Sequence, residues 1–181
     1  ASNSQEAMIG TGSVVKTAAG DYLFFYTGHP ASGAEVVLVA KSEGNLDNFV
    51  KQTDFSISPG EYGFENDFRD PEVVWDEASE RYICIVATRL NGTAVLARFS
   101  FDAELENLTY DGILYTDTRG FNVLECPDLF YLDGRWYLTY SAQDLSLSGE
   151  TDGTSNAMLA PADSKGCMYY LVADSIDGAW R

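Results

Sequence analysis

Two carboxylates in this sequence stand among residues suited to acid–base chemistry. Asp70 lies in Asn66-Asp67-Phe68-Arg69-Asp70-Pro71, and Glu125 opens Glu125-Cys126-Pro127-Asp128. Each group sits at the start of a β-rich run, and a third polar group, Thr11-Gly12-Ser13, starts another. Carboxylates gathered around one glycosidic bond can divide the work of hydrolysis. One stabilises or attacks the anomeric carbon, and another gives its proton to the leaving oxygen. Crowding pushes one carboxyl pKa upward and keeps an acid protonated near neutrality. Arg69, beside Asp70 in sequence, is expected to hold that aspartate ionised and to offer donors to sugar hydroxyls.

Plainer readings stand beside these. Arg69 and Asp70 also fit a structural ion pair, with Pro71 starting an edge strand. Glu125 also fits a surface carboxylate. Asp128 reads equally as a turn-capping aspartate, and Ser13 as a serine that merely begins a strand. Cys126 reads as packing, because no neighbouring base would activate its thiol.

The elements that must position these residues repeat. Gly12-Ser13-Val14-Val15-Lys16, a turn near Gly20, and Tyr22-Leu23-Phe24-Phe25-Tyr26-Thr27 form one unit. Asp70-Pro71-Glu72-Val73-Val74-Trp75, a turn over 76–80, and Arg81-Tyr82-Ile83-Cys84-Ile85-Val86-Ala87 form the second. Pro127-Asp128-Leu129-Phe130-Tyr131-Leu132, Asp133-Gly134, and Arg135-Trp136-Tyr137-Leu138-Thr139-Tyr140-Ser141 form the third. Each reads as a β-hairpin. Third strands are expected from Glu35, Thr93 and Met168, each running on to a polar turn and then Phe49, Leu108 or Trp180. Tyr22, Tyr82 and Tyr137 mark the same position in successive units, 60 and 55 residues apart. No helical period is sustained anywhere.

Small antiparallel sheets repeated in this way predict an all-β fold, a β-propeller of four-stranded blades with three blades present. The units are expected over residues 9–58, 66–112 and 121–181, within one partial propeller domain spanning 1–181. A β-sandwich is the rival, but it needs no repeat of this length. Residues 146–166, rich in Ser, Gly, Asp and Thr, read as a surface loop. Propellers usually close with about four to eight blades, so further strands or the remainder of the propeller are expected to complete the fold. The first strand of each blade delivers its polar group to the central axis, where the three groups would share one cavity.

Composition narrows the partners. The chain has 181 residues and a net charge of −17, which argues against nucleic acid, whose phosphates need a basic face. The same charge argues against an anionic membrane surface, and no run approaches the roughly 18 apolar residues of a membrane span. Neutral sugars remain as ligands. The first twenty residues lack the pattern of a signal peptide, which leaves the compartment open. A single histidine, His29, rules out a histidine-rich metal centre, and no metal or cofactor is expected. Cys84, Cys126 and Cys167 lack the spacing of a disulfide framework or a zinc site.

These motifs resemble glycoside hydrolase family 32. Asn66-Asp67-Phe68-Arg69-Asp70-Pro71 is similar to its Arg-Asp-Pro motif, and Glu125-Cys126-Pro127-Asp128 to its Glu-Cys-Pro-Asp motif. Ile9-Gly10-Thr11-Gly12-Ser13-Val14-Val15 and Leu23-Phe24-Phe25-Tyr26-Thr27-Gly28 resemble its Ser-Gly-Ser and Phe-Tyr-Thr-Gly strands. Asp174-Ser175-Ile176-Asp177-Gly178-Ala179-Trp180 resembles a later Gly-Pro-Trp segment. The matches come in family order over nearly the whole chain.

The resemblance implies a five-bladed propeller, here blades two to four, and retaining hydrolysis of β-fructofuranosides such as sucrose, inulin or levan. It implies Asp70 as transition-state stabiliser, binding fructose hydroxyls with Arg69. Glu125 would be the general acid/base, Cys126 would tune it, and Asp128 would help order the site. Ser13 would contact sugar. The family's nucleophile belongs to an Asn-Asp-Pro-Asn-Gly segment that this sequence does not contain, so the 181-residue chain alone is expected to be inactive. Leu124 stands where many members have tryptophan, and Thr11 stands in the Ser-Gly-Ser position; both leave the substrate subclass open. The alternatives are a glycosidase of arabinose- or xylose-containing polymers and a non-catalytic sugar-binding propeller.

Overall fold

The structure, a computed structural model, describes residues 5–143 and 168–181. The loop expected over 146–166, and Cys167, lie outside the described residues. Eleven strands run in chain order through those residues: β1 (Met8–Lys16), β2 (Tyr22–His29), β3 (Val36–Ser42), β4 (Val50–Ile57), β5 (Phe68–Asp76), β6 (Arg81–Leu90), β7 (Thr93–Phe101), β8 (Thr109–Thr116), β9 (Val123–Leu132), β10 (Arg135–Gln143) and β11 (Met168–Ala173). The helical content among them is one short 3-10 turn, Pro59–Glu61. No helix among the described residues is long and apolar enough to cross a membrane.

The strands form three antiparallel sheets, each a simple meander. Sheet order is β1-β2-β3-β4 in the first, β5-β6-β7-β8 in the second and β9-β10-β11 in the third. The expected four strands are found in two sheets. The third has three strands among the described residues, and Arg181 exchanges both main-chain hydrogen bonds with Val172 of β11 at 2.9 and 3.1 Å.

Turn chemistry sets the hairpins. Asp133 (φ 48°) and Gly134 (φ 84°) link Leu132 to its partner Arg135. Asn91 (φ 51°) and Gly92 (φ 78°) link Leu90 to Thr93 in the same way. Two consecutive positive-φ residues are the mark of the type I′ turn, whose twist matches that of its strands.

The middle sheet is buried on both faces, which explains why Tyr82-Ile83-Cys84-Ile85-Val86-Ala87 is apolar without interruption. Successive side chains of a strand point to opposite faces. Tyr82, Cys84 and Val86 pack toward the first sheet, against Phe25, Val39, Phe55 and Ile57. Ile83, Ile85 and Ala87 pack toward the third, against Leu129, Leu138 and Tyr140. Three small meanders stacked in series, rather than two sheets facing each other, fit the blades of a propeller. The free face of the third blade is apolar too: Phe130 and Tyr137 stack there with rings 8° apart, and Met168 and Tyr170 are exposed. The inner strands β1, β5 and β9 adjoin one another in that order. The polar groups at their starts therefore meet.

Candidate active site

Each inner strand is interrupted at the same place. Pairing register shifts between Ile9 and Gly12 in β1, and between Arg69 and Glu72 in β5. In β9 it shifts opposite Thr139 and Ser141, where Cys126 and Pro127 have no ladder partner. β-bulges of this kind re-aim side chains, and a proline without an N–H is tolerated at one. Asp70 (φ 56°) and Cys126 (φ 49°) both take the left-handed conformation at their bulges. For such residues that costs about 1–3 kcal/mol each, a strain that clusters at working sites.

The bulges turn Asp70 inward, where it is 6% exposed. One carboxylate oxygen accepts from the Thr11 hydroxyl of blade one. The other accepts from the main-chain N–H of Cys126 in blade three at 2.9 Å, with the Cys126 thiol 3.7 Å away. The Asp70 N–H donates to Thr27 Oγ1 at 2.8 Å, and the Thr27 hydroxyl donates to the Thr11 carbonyl at 3.0 Å. Asp70 thus pins three blades together. The oxygen facing Thr11 retains a lone pair for another donor, while the other takes both the N–H and the thiol of Cys126.

Arg69 does not serve Asp70, and the expectation that it would is corrected. Adjacent residues of a strand project to opposite sides, and Arg69 turns to other partners. Its Nη1 lies 2.6 Å from Asp67 and 3.1 Å from Glu35, and its Nη2 lies 2.9 Å from Glu125. Burial works against the Arg69 charge, but Asp67, Glu35 and Glu125 outweigh it and hold the guanidinium above its ordinary pKa. Glu125 is partly accessible, its side chain 31% exposed.

Ser13 is engaged between blades. Its Oγ accepts from the Val73 N–H at 2.9 Å, and its hydroxyl bonds the Glu72 carboxyl. Glu72 was not apparent as a site residue from sequence, where it reads as one polar position in an apolar strand. Burial and the nearby Asp128 carboxylate push its pKa up to about 8, against hydrogen bonds from the Ser13 hydroxyl and the Leu129 main chain. Asp128 itself is exposed on β9. The Cys126 thiol is raised by burial first and then by Asp70 and Glu125, so it remains a weak donor rather than a nucleophile.

Glu35 and Thr27 were also missed as contacts, since both act across blades. Among the described residues no three His, Cys, Asp or Glu side chains are grouped to hold a metal. The arrangement offers two carboxylates on neighbouring inner strands, each oriented by a separate set of donors, Asp70 buried and Glu125 partly accessible. Such a pair suits proton transfer and charge stabilisation around one bond.

The sequence profile of the glycosyl hydrolases family 32 N-terminal domain matches residues 1–174. Solved structures share the fold. A family 32 β-fructofuranosidase of Bombyx mori, in complex with sucrose, superposes with a TM-score of 0.71 at 21% identity, over 94% of this chain and 34% of that one. A sucrose-6-phosphate hydrolase of Lactobacillus gasseri gives 0.73 at 17%, over 96% and 34%. A levansucrase of Bacillus subtilis gives 0.73 at 15%, over 98% and 53%. This chain spans about a third of the first two. No curated protein matches the sequence. The fold is that of β-propeller blades, as in these five-bladed enzymes.

Proposed function

The chain belongs to glycosyl hydrolase family 32, and from that premise we propose that it forms part of the catalytic propeller of a retaining β-fructosidase. Glu125 is the general acid/base, protonating the leaving oxygen and then activating water. Asp70 stabilises the oxocarbenium-like transition state and accepts hydrogen bonds from fructose hydroxyls. Arg69 orients Glu125, and Cys126 donates to Asp70. Ser13 holds Glu72 by a hydrogen bond, and Asp128 lies near the same carboxyl. The nucleophile is supplied by sequence beyond these 181 residues, which contain no Asn-Asp-Pro-Asn-Gly segment. The chain alone is inactive, and the remaining blades pack on the apolar face of Phe130, Met168 and Tyr170.

The observation behind this reading is the bridge between β5 and β9. Asp70 accepts from the N–H of Cys126 while Arg69 binds Glu125, so both carboxylates are held at one junction. The relatives include a protein crystallised with sucrose and a fructan 1-exohydrolase of Cichorium intybus, which supports fructosides as the substrate class. The second reading is a non-catalytic sugar-binding propeller. Incubating the full-length protein with sucrose, inulin and levan separates the two. Released fructose supports the enzyme. Sucrose binding without turnover supports the binder, and turnover of arabinan or xylan alone rejects both.

A further inference from the structure

Glu35 stands just before β3, outside every sequence group marked for chemistry, yet its side chain meets both the main chain and the Arg69 side chain of blade two. Its main-chain N–H donates to the Asn66 carbonyl at 3.0 Å. Its Oε2 accepts from the Phe68 N–H at 2.9 Å and from Arg69 Nη1 at 3.1 Å. Its Oε1 lies 2.9 Å from His29 Nδ1. The imidazole has room because residue 10 is glycine: a Cβ there would stand 2.3 Å from His29 Nε2.

Arg69 joins this bracket to the carboxylate across the blade junction. Its guanidinium is a rigid planar fork. With Nη1 fixed by Glu35 and Asp67, the direction of Nη2 toward Glu125 is fixed as well. Of the two anchors Glu35 is the better shielded, 17% exposed against 41% for Asp67, and a shielded pair is less weakened by solvent and salt.

Resting on the reading of Glu125 as proton donor, we infer that Glu35 is a positioning residue, a cross-blade bracket that fixes the Arg69 fork and through it the Glu125 carboxyl. It touches neither substrate nor reacting atoms in that reading. The carboxylates facing Arg69 are Glu35 from the β3 approach, Asp67 from the β5 approach and Glu125 from β9, and the titratable imidazole of His29 in β2 lies behind Glu35. Glu35→Ala removes the bracket. Glu35→Gln retains an acceptor for the Phe68 N–H but removes one of the three anionic partners of Arg69.

The test uses 15N NMR of the full-length protein's arginine guanidinium groups, with Arg69→Lys to assign the Arg69 signals, beside steady-state kinetics on sucrose. A guanidinium held by three carboxylates gives resolved, slowly exchanging Nη–H signals. In Glu35→Ala and Glu35→Gln these are expected to collapse into fast exchange, while other arginine signals and the unfolding midpoint of Glu35→Gln stay unchanged. Turnover by Glu35→Ala is expected to fall up to about 100-fold, the effect of a small misplacement of a reacting group, with KM within about threefold. Unchanged Arg69 signals in both variants overturn the bracket. If those signals respond but the wild type releases no fructose, the bracket stands and the fructosidase reading fails. If they respond in an active enzyme whose kcat does not move, the link from Arg69 to Glu125 is refuted.

Discussion

Arg69 Nη2 lies 2.9 Å from Glu125 Oε1, although Asp70 is its neighbour in sequence. The fork joins three blades through three carboxylates, a geometry that lysine's single ammonium cannot reproduce. Arg69→Lys is expected to lower kcat at least about tenfold, because loss of one oriented contact costs about 1.4 kcal/mol or more. It should also destabilise the fold by about 1–3 kcal/mol, between the values for surface and buried pairs. Urea unfolding and sucrose kinetics on the same preparation check both; a variant matching wild type in each would contradict the bridging role.

Glu72 makes stability depend on pH in a defined direction. Its pKa is about 8 in the folded protein, against about 4.3 for an unfolded glutamate. Between those values the folded state binds more protons than the unfolded state, so stability falls as pH rises through that window. Carboxylates held low, such as Asp117 under its main-chain donors and Arg119, act only at more acid pH. The expected outcome is a melting temperature that declines from pH 5 to pH 8.5, with a shallower decline in Glu72→Gln. Equal slopes would show that Glu72 does not share this proton.

The blades could be read in the sequence because their signals are local. The β6 run from Tyr82 to Ala87, the Asp133-Gly134 turn and the repeated aromatic positions each act over a few residues. The start of each inner strand was legible for the same reason. What sequence did not disclose depends on contacts between blades. Glu35 is 34 residues from Arg69 and Glu72 is 56 from Asp128, and nothing local marks either pair. The Arg69–Asp70 expectation failed because adjacency in a strand separates side chains, and the bulge at Asp70 turns its carboxylate toward Thr11 and Cys126.

Gly12 tests the close approach of β1 to β2. A Cβ at this position would lie 1.9 Å from the Phe25 carbonyl oxygen, a main-chain atom that cannot swing aside. Gly12→Ala is expected to destabilise the protein by about 1–3 kcal/mol, the cost of overpacking, and to disturb Thr11 and Ser13 on either side. Gly60→Ala, where a Cβ meets nothing within 4 Å, should be near neutral. Equal midpoints for the two in urea would contradict the packing.

Asp70→Asn replaces one acceptor oxygen with an NH2 group that cannot receive the Cys126 N–H or the Thr11 hydroxyl. A buried donor left without its acceptor costs about 1–3 kcal/mol. In the proposed role the variant should lose kcat and raise KM for sucrose together, since Asp70 contacts the sugar in both ground and transition states. A change confined to stability would assign Asp70 to the framework alone.

Glu125→Gln in the full-length protein tests the central claim most directly. The amide keeps the size of the side chain and an acceptor for Arg69 but cannot transfer a proton. With sucrose and fructans as substrates, kcat should fall by about 10²–10⁴-fold, the contribution of a positioned general acid or base, while KM stays within a few-fold of wild type. Near-normal turnover by Glu125→Gln would contradict the account.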